Sequence, residues 1–147
     1  MSKTQLYTIG FTKKNAQTFF SKIQHAGVVK LIDIRLNNVS QLAGFAKRDD
    51  LRFFLKELCN CEYLHIPNFA PTKEILDAYK KKQIDWTEYV IRFNQLIKDR
   101  KIESLITTEE LNNSCFLCSE ATPEQCHRRL VAEYFQDKFG NIEIKHL

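Results

Sequence analysis

Apolar positions along the chain change period several times, and each change marks an element. Gln5-Leu-Tyr-Thr-Ile9 is a short β-prone run stopped by Gly10, and Asn15 to Ala26 then sets Phe19, Phe20 and Ile23 on one helical face before Gly27. Val28 to Ile34 is almost continuously apolar and β-branched, the pattern of a central strand buried on both faces of a parallel sheet. Periodicity then lapses from Leu36 to Lys47, which reads as a long loop. Asp49 or Asp50 is placed to cap a helix carrying Leu51, Phe54, Leu55 and Leu58. Cys61 to Ile66, before Pro67, reads as the third strand.

Thr72 opens a helical pattern that runs to Arg100 with a break near Gln83, and in its second part Trp86, Tyr89, Val90, Phe93, Leu96 and Ile97 recur at three- and four-residue steps. That stripe is assigned to the core. Ser104 to Thr107 reads as a short strand or a helix end, Ser114 to Cys118 as a clear strand, and Ile142 to His146 as a terminal strand. Between the last two, Thr122 as N-cap, Pro123 at the first helical position and Gln125 as the reciprocal partner predict a capping box, with the helix ending at Gly140. Strands alternating with helices imply an α/β fold: a mostly parallel sheet with helices on both faces. At 147 residues the chain makes one compact domain with a single core region, and no repeats interrupt it.

Composition adds little to this picture. A net charge of +4 is compatible with a polyanionic partner, but 18 acidic residues are mixed among the 22 basic ones. The N-terminus has no basic-then-apolar leader pattern and no apolar stretch approaches the ~20 residues that span a bilayer, so no membrane partner is expected and the chain is placed in the cytosol. Its five cysteines, 59, 61, 115, 118 and 126, are odd in number without framework spacing, and reduced thiols are the expectation.

Candidate chemistry gathers where parallel sheets bind ligands, beyond the carboxyl ends of the strands. Asp33-Ile-Arg35 arrives there from the second strand, and Cys118-Ser-Glu120 from a later one, followed by Cys126-His-Arg-Arg129. At 100° per residue His127 falls on the core line of its helix, Cys126 and Arg128 flank it, and Arg129 points away. Arg35, Arg128 and the helix N-terminus would hold a phosphate or carboxylate, with Asp33 beside them. The same field would turn Cys118 or Cys126 into a nucleophilic thiolate, with His127 as acid or base and Glu120 or Asp33 orienting it. The bland alternatives stand beside these roles: His127 as a hydrogen-bonded core residue, Cys59, Cys61 and Cys115 as inert thiols, and Lys80-Lys-Lys82 as a solvated helix face.

Cys115, Cys118, Cys126 and His127 could also be read as zinc ligands, but strand geometry sends Cys115 and Cys118 to opposite faces, so no metal is assigned. No P-loop, dinucleotide-binding glycine motif or Cys-x5-Arg loop is present, and no cofactor is expected.

Five blocks, Tyr7-Thr-Ile-Gly10, Asp33-Ile-Arg35, Phe45-Ala-Lys47, Tyr63-Leu-His-Ile-Pro67 and Cys118-Ser-Glu120 with Cys126-His-Arg128, resemble the DUF488 family in order and spacing over almost the whole chain. The resemblance implies a compact α/β sandwich and a shared polar cluster of Asp33, Arg35, Cys118, Glu120, Cys126, His127 and Arg128. It carries no established reaction. Phe11 stands where the family commonly has His or Tyr, and Asn37-Asn38 replaces a basic residue, so a different substrate is expected if those positions touch it. The leading functional expectation is an enzyme acting on an anionic, phosphate- or nucleotide-like substrate. The alternatives are a non-catalytic nucleic-acid-binding module, motivated by basic and aromatic residues interleaved around Lys47 to Phe54 and Tyr79 to Arg92, and a structural or redox thiol site with bound metal or a reversible Cys118–Cys126 disulfide. Nothing in the sequence sets the oligomeric state.

Overall fold

The computed structural model describes residues 3–38, 44–120 and 122–147. Five parallel strands form one sheet in the order β3-β2-β4-β1-β5, where β1 is Thr4–Gly10, β2 Lys30–Asp33, β3 Glu62–His65, β4 Ser114–Cys118 and β5 Ile142–His146. Helices α1 (Ala16–Ala26) and α2 (Arg48–Cys59) cover one face. The other carries α4 (Trp86–Asp99) and α6 (His127–Phe139), with α3 (Lys73–Lys80) preceding α4 and the single turn α5 (Thr108–Leu111) leading into β4. The parallel sheet with helices on both faces expected from the alternating pattern is therefore present, and among the described residues no helix is long and apolar enough to cross a membrane.

Period-two alternation divides the apolar side chains between two cores, one on each face of the sheet, where a single core was expected. Leu31, Cys115 and Leu117 point to the α1–α2 side and pack with Phe19, Phe20, Ile23, Leu51 and Leu55. Ile32 and Phe116 point the other way, against Phe93 and Ile97 of α4 and Val131 and Phe135 of α6. Every residue of β4 is buried, as a strand with neighbours on both edges and helices on both faces must be. Edge strand β3 alternates between exposed and half-buried positions.

Local chemistry explains most boundaries. Asn15 caps α1 by accepting from the Thr18 N–H, and Gly27 ends it in the left-handed region at φ 73°. Thr72 and Asp85 cap α3 and α4 in the same way, which realises the break expected near Gln83. Several expected boundaries move. The second strand pairs only over Lys30–Asp33, because Val28 and Val29 follow the turn at Gly27, although Val29 and Ile34 still bond to Asn113 and Leu117 at its ends. Helix α2 begins one turn position earlier than an Asp49 or Asp50 cap would allow, with Lys47 at the N-cap and both aspartates in the first turn, where they meet the positive end of the helix. Ser104 to Thr107 is no strand: a 3-10 turn over Ile102–Ser104 leads to a capping box at Thr107 and Glu110 that starts α5. The loop expected over Leu36 to Lys47 includes residues 39–43, which lie outside the described residues; its end is a 3-10 turn at Gly44–Ala46.

Chain direction across the sheet is what positions a site. β1 connects past β4 to β2 over the α1–α2 face, whereas β4 connects past β1 to β5 over the α6 face. β4 is thus flanked by strands whose connections leave over the opposite face, and a crevice opens at its carboxyl end, the switch point at which open parallel sheets bind ligands.

Candidate functional site

A cavity of about 340 Å³ opens at that switch point. Cys118, Ser119 and Glu120 reach it from the end of β4, Arg35 from beyond β2, and Cys126 and His127 from the start of α6. A comparable depression between α1 and α2 is lined by Phe20, Phe54 and Leu58 among uncharged neighbours and offers no titratable group.

The start of α6 differs from the expected capping box. Residues 123–125 form a turn closed by the Cys126 N–H on the Pro123 carbonyl, and the helix begins at His127 with Cys126 as N-cap. Thr122 instead bonds to Glu124. Closing the turn this way moves Cys126 out of the helix and over the end of β4. No side chain caps α6, so its positive end faces the cavity mouth.

The sulfurs of Cys118 and Cys126 meet there at bonding distance, the pair named in the thiol-site alternative, where reduced thiols were the first expectation. Cys59, Cys61 and Cys115 are free. Cys115 packs among the α1–α2 core residues, so the opposite-face argument against joint ligation with Cys118 holds. Burial pushes the Cys61 thiol up to about 12 and raises that of Cys115 too, which keeps both inert at neutral pH.

Arg128 lies behind the pair. Its guanidinium is buried, with Nη1 donating to the Glu120 carbonyl at 2.6 Å and to Cys118 Sγ at 3.5 Å. Nε has no partner among the described residues, and no carboxylate there pairs with it. Burial pulls its pKa below the ordinary arginine value, yet a guanidinium remains charged at neutral pH. Arg128 is not a wall of the cavity; it supplies positive charge to Cys118 from beneath.

His127 is the inward residue that the helical count predicts. Its Nε2 donates to the Ile34 carbonyl at 2.7 Å, and its ring meets Phe93 edge-on. Burial, opposed by that hydrogen bond, lowers its pKa to about 4, so the ring is neutral at pH 7 and Nδ1 keeps its lone pair. The orienting group is therefore Ile34, not Glu120 or Asp33. One donor atom from each of Cys118, Cys126 and His127 lies within 4.8 Å of the others, a set that could hold a soft metal ion.

Arg35 and Asp33 form a separate buried unit. Nε and Nη2 of Arg35 grip the two carboxylate oxygens of Asp33 at 2.8 Å each, Nη2 also donates to the Ala46 carbonyl, and Tyr63 Oη donates to Asp33 at 2.6 Å. Asp33 thus spends its charge on Arg35 and lies outside the cavity lining, whereas Arg35 lines it and keeps Nη1 without a partner among the described residues. Of the departures from the family pattern, Phe11 packs against the Arg35 guanidinium 5.4 Å from the ring centroid, and Asn38 donates to Tyr63 Oη. Asn37 lines the cavity. Tyr79, Trp86, Tyr89 and Gln125 also line it; the sequence pattern puts Trp86 and Tyr89 in the core stripe, Tyr79 to Arg92 in a candidate nucleic-acid-binding segment and Gln125 in a capping box, and names none of them as site residues, because the stripe carries no sign that its first turn projects beyond the sheet.

A model of the domain of unknown function DUF488 matches residues 15–135. The chain belongs to the DUF488 family. Of the five motif blocks, Tyr7 to Gly10 precedes the matched residues, and the others fall inside them. No curated protein and no solved structure matches this DUF488 chain.

Proposed function

We propose that this DUF488 protein is a thiol-dependent enzyme acting on an anionic, phosphate-bearing substrate, with Cys118 as the reactive sulfur and Cys126 as the thiol that can pair with it. One observation carries the reading: Cys118 Sγ sits at the floor of the cavity between Cys126 and a buried arginine that has no carboxylate partner among the described residues. A guanidinium and a helix N-terminus both favour the thiolate over the thiol. Arg35, which lines the cavity and whose buried Nη1 has no partner among the described residues, supplies a bonding group for the substrate's anion. His127, neutral and fixed by Ile34, leaves its Nδ1 lone pair as an acceptor and is a weak base, so the thiolate owes its charge to Arg128.

The test needs no known substrate. The reduced protein is treated with iodoacetamide over a range of pH, and each cysteine is followed by peptide mass spectrometry. Cys118 is expected to alkylate with an apparent pKa well below the ordinary ~8.5 of a free thiol, and Arg128→Met to move that pKa back up. An ordinary titration of Cys118 in the folded wild type would overturn the proposal.

A second reading is favoured by the convergence of the Cys118, Cys126 and His127 donors: a zinc ion held by two thiolates and one imidazole. Protein purified without chelator would then contain one equivalent of zinc, lost in Cys126→Ser. Metal-free protein that takes up no zinc removes this reading.

A further inference from the structure

Rings line up from the rim of the cavity to its floor. Trp86, the first residue of α4, stacks on Tyr89 at 4.9 Å and 16°, Tyr89 stacks on Phe93 at 5.9 Å and 14°, and Phe93 meets His127. Tyr79 of α3 leans on both Trp86 and Tyr89, with centroids 5.7 and 5.1 Å away, and its Oη donates to Gln125 before α6. Phe93 is fully buried and Tyr89 nearly so, as core residues are. Tyr79 and Trp86 are only partly buried, and both line the cavity.

Two partly open aromatic rings beside a charged floor form a wall suited to a flat, π-bearing ligand group. The charge balance selects its nature. With Arg35 neutralised by Asp33, Lys80 and the Glu120 carboxylate balance one another in the lining, and the surplus positive charge is that of Arg128 behind Cys118, which has no carboxylate partner among the described residues; this disfavours an aromatic cage for a cation and favours an anion. Arg35 and the uncapped start of α6 line the same cavity from elements separate from α3 and the first turn of α4. The volume of about 340 Å³ falls within the ~300–1,000 Å³ typical of small-molecule sites.

We infer that Tyr79 and Trp86, backed by Tyr89, are a stacking subsite for the base of a nucleotide whose phosphate is taken by Arg35 and the N-terminus of α6. The inference rests on the anionic-substrate reading above and narrows it to nucleotides. Stacking on an aromatic wall is tolerant of base identity, because every base has a π face.

Trp86 is the only tryptophan, so its fluorescence reports the subsite directly. The full chain is titrated with adenosine and uridine 5′-monophosphates, ribose 5-phosphate, adenosine and inorganic phosphate, with thermal unfolding as a second readout. The nucleotides should quench Trp86 and bind at least about tenfold more tightly than ribose 5-phosphate. Trp86→Ala should abolish that preference while leaving ribose 5-phosphate binding unchanged, and Trp86→Phe should keep it. Tyr79→Ala, at a partly exposed position, gives the same comparison if Trp86→Ala fails to fold. Ribose 5-phosphate binding as tightly as the nucleotides would overturn the base subsite and leave the anion reading standing. Adenosine binding as tightly as its monophosphate would do the reverse, and binding of none of the five would overturn both.

Discussion

Gly10 and Arg128 occupy one another's space: a Cβ built on Gly10 would overlap both Arg128 Nη1 and the Glu120 carbonyl oxygen that Nη1 bonds. Gly10 pairs with Cys118 in the β1–β4 register, so the lack of a side chain at the end of β1 is what lets a buried guanidinium reach the sulfur on β4.

Gly10→Ala should therefore destabilise the protein by about 1–3 kcal/mol, the usual cost of overpacking, since Glu120 contributes backbone and Arg128 is hemmed in by burial. Gly44→Ala, where a Cβ meets nothing within 4 Å, should stay within about 0.5 kcal/mol of wild type. Urea unfolding midpoints of the two variants check this. Equal midpoints would show that the Arg128 contact yields easily.

Asp33 neutralises Arg35 where both are almost fully buried, at 0% and 3% exposure. Asp33→Asn leaves the guanidinium buried without its counter-charge and should cost about 3–5 kcal/mol. Tyr63→Phe removes only the hydroxyl that donates to Asp33 and should cost about 1–2 kcal/mol. Chemical denaturation of both variants reads the order; a larger loss for Tyr63→Phe would contradict the pairing as described.

His127 makes stability depend on pH. Its folded pKa of about 4 lies below the ~6.5 of an unfolded histidine, so between those values the unfolded chain binds a proton that the native protein refuses. Stability is whole above pH 6.5 and is lost as pH falls toward 4, by roughly 2–3 kcal/mol from this residue. His127→Gln, which keeps a donor for Ile34, should flatten that part of the profile. His146 is lowered in the same direction by burial, so the difference between wild type and variant, not the slope of either, measures His127.

Much of the fold was legible because burial imposes a period. The apolar run at β2, the wholly apolar-facing β4 and the stripes of α1, α4 and α6 each state which side chains must leave water, and caps such as Asn15 and Thr72 state where the backbone turns. Where two local rules competed, sequence alone chose wrongly. Thr122, Pro123 and Gln125 fit a capping box, yet the chain starts α6 four residues later, because Cys126 is then carried over the end of β4 to meet Cys118.

Candidate site residues were legible for a related reason: Asp33, Arg35, Glu120, His127 and Arg128 are unsuited to strand ends in a core unless the fold gives them partners. Their partners were not legible. That Asp33 serves Arg35, that Ile34 rather than a carboxylate fixes His127, and that Arg128 sits behind Cys118 instead of lining the cavity are set by how the chain folds back on itself, across 93 positions in the case of His127 and Ile34. The sequence by itself determined the layers, the edge where polar residues collect and the identity of most of them, since those follow from local period and solubility. Strand order, the crevice beside β4, the meeting of Cys118 with Cys126 and the aromatic wall at Trp86 were decided only by tertiary structure, because each depends on which distant elements pack side by side.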